Sequence, residues 1–389
     1  MARRLGIRSF PRPTWAMRML FPVVCVLFGF AAPSAQSEES KPPVRLAIIG
    51  LVHTHVHGFL PQALTNTQVQ LVGIVEPDRT LAAQAARRYQ IHTNLFYASL
   101  EDLLARTNVE GVAAFTTTFD HRRVVEACAP RGIQVMMEKP LAVNMEHARA
   151  MASAARKGGI HLLVNYETTW YPANRAAYEL IWKQQAIGEL RKFVVHDGHQ
   201  GPKEIGCPPE FLQWLTDPVL NGGGALPDFG CYGADLITWL MQGQRPTSVF
   251  AVTQHIKPDF YPKVEDEATI VVTYPKAQGI IQASWNWPYN RKDIEIYGQS
   301  GYVLVPRKDV LRVLKDDEPE REISVPPLTG PEADPLSYLA AVVRGDIRPS
   351  GLSSLEVNMT VMEILDAARV SAATGKRIDL PAEAPSFGN

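Results

Sequence analysis

Between residues 44 and 164, short apolar runs alternate with helix-patterned stretches, and no other feature limits the fold as much. Residues 44–49 form an apolar run that stops at Gly50, and residues 69–75 form a second that stops at Glu76. Strands of a parallel sheet read this way, because helices cover both of their faces. Further strands are expected at 109–115 and 134–137. Helices are expected from about Thr54, over 79–88, up to Val125, and from an Asn144 cap to a Gly158-Gly159 stop. This half is expected to be α/β, a doubly wound, mostly parallel sheet.

The pattern then changes. Residues 193–196, 249–254, 268–273, 280–285, 294–297 and 310–314 read as strands of a larger, mostly antiparallel sheet. Helices near 173–183, 226–241, 335–343 and 355–373 are expected to cover one face of it. Ser353 to Glu356 reads as a capping box for the last helix. The organisation is therefore a leader at 1–35, a first domain at 44–165, an α+β domain at 166–380 and a frayed tail at 381–389.

Charge separates the leader from the rest. Residues 1–35 hold five arginines and no acid, and residues 19–32 are apolar, followed by small and then polar residues. A basic start, a short apolar core and a small-residue site describe a secretory signal peptide. The run is short of the roughly 20 residues that span a bilayer, and Pro22 interrupts it. Met17 is an alternative start, and Arg3-Arg4 is a twin-arginine cue if Met1 is used. Export to a periplasmic or extracellular space is expected, with no stable membrane insertion after cleavage, and an uncleaved membrane anchor is the alternative. Taking those five from the 39 basic residues leaves 34 against 40 acidic ones, which gives no electrostatic footing for nucleic acid. Cys128, Cys207 and Cys231 fit no zinc spacing and no full disulfide framework.

Three segments can carry chemistry. The turn after the first strand, Gly50 to Gly58, lies where such folds seat a pyrophosphate on backbone N–H groups. Gly50 supplies the first glycine of the fingerprint, whereas Val52 and His55 occupy the second and third glycine positions. Glu76 stands where an acid accepts ribose hydroxyls, which favours NAD over NADP, although Arg79 keeps a 2′-phosphate open. His53, His55 and His57 suggest a metal, but side chains two apart diverge on entering a helix, so no metal is expected. Instead, His53 and His55 are expected against the cofactor. In the second segment, Glu138-Lys139-Pro140 ends a strand, on the ligand side of such a sheet. The third runs from Gly222-Gly223-Gly224 to Asp235. There Asp228 and Tyr232 share a helix face, either as a proton relay with Lys139 or, alternatively, as a helix cap and a core ring. Substrate-side candidates are Trp170, Tyr171, His199 with the 196–199 segment, Asp266 and the 285–288 segment.

The order of the Gly50 turn, Glu76, Thr116-Thr117-Thr118-Phe119-Asp120-His121, Glu138-Lys139-Pro140 and Gly222 to Asp235 resembles the glucose–fructose oxidoreductase, inositol dehydrogenase and MocA (Gfo/Idh/MocA) family. The resemblance spans about 44–375. It implies a Rossmann domain followed by a domain whose open sheet often mediates oligomerisation. It also implies NAD(P)-dependent chemistry on a carbinol of a sugar, cyclitol or related polyol. By resemblance, Lys139 matches the catalytic lysine, Asp228 the catalytic acid, and Thr116, Thr117, His121 and Glu138 the cofactor side. Where the family usually has a catalytic histidine, this chain has Tyr232, as in the branch resembling glucose–fructose oxidoreductase and dihydrodiol dehydrogenase. A phenol with pKa about 10 needs Lys139 as a cationic neighbour to act near neutrality. An exported member is expected to hold its cofactor tightly and regenerate it each cycle. The alternatives are an NAD-dependent glycoside hydrolase using transient oxidation, and a non-catalytic sugar-binding relative.

Overall fold

The structure, a computed structural model, describes residues 41–381. The expected leader at 1–35 and residues 382–389 of the expected tail lie outside the described residues.

The chain begins with β1 (Val44–Ile49), α1 (Val56–Thr65), β2 (Val69–Val75), α2 (Arg79–Tyr89), β3 (Phe96–Tyr97) and α3 (Leu100–Arg106). It continues through β4 (Gly111–Ala114), α4 (His121–Cys128), β5 (Gln134–Glu138), α5 (Met145–Gly158) and β6 (Leu162–Asn165). The six strands pair in parallel in the order β3-β2-β1-β4-β5-β6. Leu46, Ala47 and Ile48 of β1 are all buried, because helices cover both faces of the sheet. The caps are local: Asp78 accepts N–H bonds from Thr80 and Leu81, Asn144 accepts one from His147, and Gly159 ends α5 at φ 64°. Strand order reverses between β1 and β4. The loops leaving those two strands therefore part, and a crevice opens at their carboxyl ends.

The remainder holds α6 (Pro172–Tyr178), β7 (Leu190–Gly198), α7 (Pro209–Leu215), α8 (Ala225–Leu240), β8 (Ser248–Gln254), β9 (Glu267–Thr273) and β10 (Gln278–Ser284). After these come β11 (Arg291–Gly298), β12 (Gly301–Arg307), β13 (Val310–Lys315), β14 (Arg321–Ser324), α9 (Pro335–Val343), α10 (Leu355–Thr374) and β15 (Ile378–Asp379). These strands form a nine-stranded sheet, β14-β13-β12-β11-β7-β10-β9-β8-β15, antiparallel except where β7 meets β10. Helices α8 and α10 cover one face. Burial alternates accordingly: Ala268, Ile270 and Val272 of β9 are buried and their neighbours half-exposed.

Two expectations change. Helix α9 packs on the first sheet, where Leu336 and Leu339 join the cluster of Leu46 and Ile48, and not on the second. Its sequence is apolar on most faces, so the pattern says that it is buried but not against what. The cap of α10 is Ser354, whose Oγ accepts from Val357 N; Ser353 belongs to a preceding 3₁₀ turn. No helix among the described residues is long and apolar enough to cross a membrane.

Candidate active site

Helix α8 starts where three glycines run against the segment before β9. The Glu265 carboxylate accepts N–H bonds from Gly224 (2.8 Å) and Leu226 (3.1 Å), so it satisfies the helix start. Asp228, one turn in, is thereby released from capping. Lys139 leaves the end of β5 and places Nζ 2.5 Å from Asp228 Oδ1 and 3.0 Å from the Asp228 carbonyl oxygen. Trp285 Nε1 donates to Asp228 Oδ2 at 2.9 Å. All three side chains are buried. Burial alone pushes the Asp228 carboxyl up and the Lys139 ammonium down, but their mutual attraction more than offsets it. Asp228 is held below the usual carboxylate range and Lys139 above the usual lysine value.

Tyr232, one helical turn beyond Asp228, lies under two ammonium groups, with Lys139 Nζ 5.2 Å and Lys292 Nζ 4.6 Å from its ring centre. Lys292 also pairs with Glu167, whose other oxygen accepts from Tyr171 Oη at 2.7 Å. Even so, burial is the largest influence on the Tyr232 phenol and drives it well above its ordinary value, with Glu167 adding to the rise. The expected lowering by Lys139 does not occur, because burial outweighs it. Tyr232 is therefore a neutral phenol near neutral pH, fit to give a proton.

Lys139, Asp228, Tyr232 and Lys292 line a cavity of about 260 Å³ together with His53, His55 and His199. Two larger clefts, of about 500 and 610 Å³, contain neither Lys139 nor Asp228. His199 Nδ1 accepts from Gly201 N at 2.9 Å, so the neutral ring presents Nε2–H, and burial keeps it neutral by lowering its pKa. His199 is thus a hydrogen-bond donor. Trp170 and Tyr171 are not among the lining residues, contrary to expectation. Trp170 Nε1 donates to Asn165 Oδ1 (2.8 Å), and Asn165 Nδ2 donates to Glu138 Oε1 (2.8 Å); Tyr171 acts through Glu167. Both rings follow β6 in the chain.

On the crevice side, Gly50 has φ 83°, and a Cβ there would lie 2.8 Å from Thr116 Cγ2 and 2.9 Å from the Phe115 carbonyl oxygen. The position needs glycine. Gly50 and Thr116 also line a small cleft with Pro77 and Asp120. Val52, which departs from the fingerprint, packs against the hydrophobic core, and its carbonyl accepts from Trp214 Nε1 at 3.3 Å. Glu76 is buried and accepts N–H bonds from Leu51 (2.8 Å) and Asp78 (2.9 Å), so it braces the turn. Each of its oxygens keeps a second lone pair for a ribose hydroxyl. Thr117 Oγ1 donates to Asp120 Oδ2, at the start of α4. His121 is buried with Nδ1 3.1 Å from the Leu141 carbonyl oxygen, and burial lowers its pKa to about 4. It braces the Glu138-Lys139-Pro140 turn.

His53 and His55 do not diverge. Their ring centres are 4.5 Å apart, because α1 begins only at Val56 and the preceding turn folds one ring back over the other. His55 Nδ1 lies 2.8 Å from Glu138 Oε2. His57 points elsewhere, to Tyr89 Oη at 2.7 Å. Sequence reasoning passed over Lys292, Glu167, Asn165 and the pairing of Trp285 with Asp228. Trp285 and Asp228 lie 57 positions apart, and no local pattern signals such a contact.

A doubly wound parallel sheet with an open crevice, joined to an open antiparallel sheet whose covering helix faces that crevice, defines a two-part dinucleotide-binding architecture. Residues 44–166 match the oxidoreductase family with an NAD-binding Rossmann fold, and residues 175–304 match the GFO/IDH/MocA C-terminal domain. The chain belongs to the Gfo/Idh/MocA oxidoreductase family. It is 29% identical over 222 residues to trans-1,2-dihydrobenzene-1,2-diol dehydrogenase of Sus scrofa, covering 57% of this chain and 61% of that protein. With the Xenopus tropicalis enzyme of that name it shares 26% over 310 residues, covering 77% and 88%. The first relatives are thus matched over about six-tenths of their length. In fold, it is similar to an inositol dehydrogenase homolog from Azotobacter vinelandii complexed with NAD+ (TM-score 0.75, 18% identity, covering 87% and 98%). It is also similar to an aldose-aldose oxidoreductase from Caulobacter crescentus complexed with glycerol (TM-score 0.73, 22% identity, covering 87% and 100%).

Proposed function

We propose that the protein is an exported oxidoreductase that interconverts a carbinol and a carbonyl on a sugar, cyclitol or related polyol, with tightly held NAD. The observation that carries this reading is the buried Lys139–Asp228 pair beside Tyr232, opening on one cavity at the crevice. Gly50, Thr116 and Glu76 would hold the dinucleotide, whereas both oxygens of the buried Glu138 are already engaged by Asn165 and His55, and the buried Glu76 carboxylate disfavours a 2′-phosphate. When bound, the dinucleotide supplies hydride exchange at the carbon.

The chain's own groups handle the proton. In the reducing direction, Tyr232 gives its phenolic proton to the carbonyl oxygen, and the Lys139 ammonium stabilises charge developing there. His199 Nε2–H orients a neighbouring hydroxyl. In the oxidising direction, the phenolate must form first. Because burial places the Tyr232 pKa well above 10, its phenolate fraction rises about tenfold per pH unit across neutrality. Carbinol oxidation is expected to rise with pH at that slope, and Tyr232→Phe to flatten the profile and lower kcat about 10²-fold or more. A flat wild-type profile would remove Tyr232 from the role.

Export rests on the basic and apolar leader. Outside the cytoplasm a dinucleotide is not recycled, so the reaction returns it to its starting state by pairing one oxidation with one reduction. The open face of the second sheet, where Phe250 and Val252 are exposed, is taken as the surface joining copies of the chain. The test is to purify the exported protein, denature it and weigh the released dinucleotide by mass spectrometry. Near-stoichiometric NAD is expected. An empty protein that also fails to bind added NAD or NADP would replace this reading with sugar binding alone.

A further inference from the structure

We propose that His53, His55 and Glu138 form a binding site for a divalent transition metal, of the zinc class, beside the Lys139–Asp228 pair. One ring nitrogen of each histidine and one oxygen of Glu138 lie within 4.8 Å of one another. Two imidazoles and one carboxylate are a donor set suited to zinc and its neighbours, whose bonds of about 2.1 Å bring donors to within about 4.2 Å of one another at most, so a small side-chain rotation closes this set on one ion.

Three independent features fit this assignment. The first is orientation. Glu138 is buried, and its Oε1 is held by Asn165 Nδ2 at 2.8 Å, while Asn165 Oδ1 is in turn held by Trp170 Nε1 at 2.8 Å. This chain leaves Oε2 turned toward His55, the arrangement in which an outer hydrogen bond aims a ligating carboxylate. The second is placement. Both imidazoles stand beside Glu138, with ring centres 4.5 Å apart, and the ring of His53 is buried. One of its nitrogens, Nδ1, is engaged by the His55 backbone N–H at 3.2 Å, a long contact that a metal bond outweighs. The third is charge. Lys139 stands nearby, but it is paired with Asp228 at 2.5 Å, which offsets part of its repulsion of a cation. His53 and His55 also line the cavity, so the coordination positions the protein leaves open face solvent and any ligand there.

The test uses the full-length protein without a histidine tag, stripped with chelator and free of added dinucleotide. Zinc is titrated by calorimetry, and cobalt(II) by its visible absorption in a low-symmetry nitrogen–oxygen site. Micromolar, one-to-one binding is expected. His55→Ala and Glu138→Gln are each expected to weaken it at least about tenfold, and Asn165→Ala, which removes no ligand, about 10-fold or more. Melting curves of each variant show whether it is folded. Absence of zinc heat and cobalt absorption in the wild type would overturn the site. Binding left unchanged in folded His53→Ala/His55→Ala protein would also overturn it, since the metal would then sit on other histidines. Dinucleotide binding is measured separately on the stripped protein. Protein that binds NAD but no zinc loses only the metal site, and protein that binds zinc but no NAD loses only the oxidoreductase assignment.

Discussion

Lys139→Met is expected to lower turnover about 10³-fold and to cost about 3–5 kcal/mol of stability. The stability loss comes from Asp228. With Lys139 gone, its carboxylate keeps the Trp285 N–H bond but stays buried with no counter-charge. The two effects separate in a double variant. Lys139→Met/Asp228→Leu replaces the pair by apolar groups, and it is expected to recover most of the stability but none of the turnover. Urea melts and steady-state rates on the four proteins of this cycle read both. Wild-type turnover in Lys139→Met would end the catalytic assignment. The pair also sets a pH window. Asp228 is lowered in the fold, so its contribution is present above the unfolded carboxylate value and lost as pH falls through the folded one. Lys139 is raised, so its contribution is present below the unfolded lysine value and lost as pH rises through the folded one.

Gly224→Ala is expected to be nearly as damaging, at about 3 kcal/mol or more, although it touches no charged group of the site. A Cβ at Gly224 would overlap the Glu265 carbonyl oxygen, which accepts Ala225 N at 3.0 Å. The Glu265 carboxylate on Gly224 and Leu226 N–H is held by the same contact. Backbone meets backbone there, so nothing can swing aside, and the start of α8 must shift with Asp228 and Tyr232 on it. Gly58→Ala is the control. An added Cβ there meets nothing within 4 Å, and alanine at a helical position is favourable by up to about 1 kcal/mol. Thermal melts should place the two variants on opposite sides of the wild type. Equal melting temperatures would show that α8 starts from a looser contact than this one.

Both effects converge on helix α8 from different directions. Asp228 is available to Lys139 only because Glu265, from another part of the chain, takes the capping role that an acid in the first turn of a helix commonly fills. A reading of α8 alone cannot distinguish those roles, since both place an acid near the helix start.

Local pattern was enough for the elements. β1, β2 and α9 begin and end where the apolar runs do, and the Asp78, Asn144 and Gly159 caps need only their own neighbours. The Lys139, Asp228 and Tyr232 candidates were also legible, Lys139 from its place at the carboxyl end of a strand and the three together from the family resemblance that the motif order carries. What tertiary structure alone decided is everything that depends on which surfaces meet. Helix α9 covers the first sheet, Trp170 and Tyr171 stay out of the cavity lining, and Lys292 and Trp285 enter from the second sheet. His53 and His55 fold together over Glu138 because the turn runs to Val56 before the helix starts. The protonation of Tyr232 belongs to the same group. A side chain's burial is a sum over distant residues, whereas periodicity, capping and turn chemistry act over one or two turns of the chain.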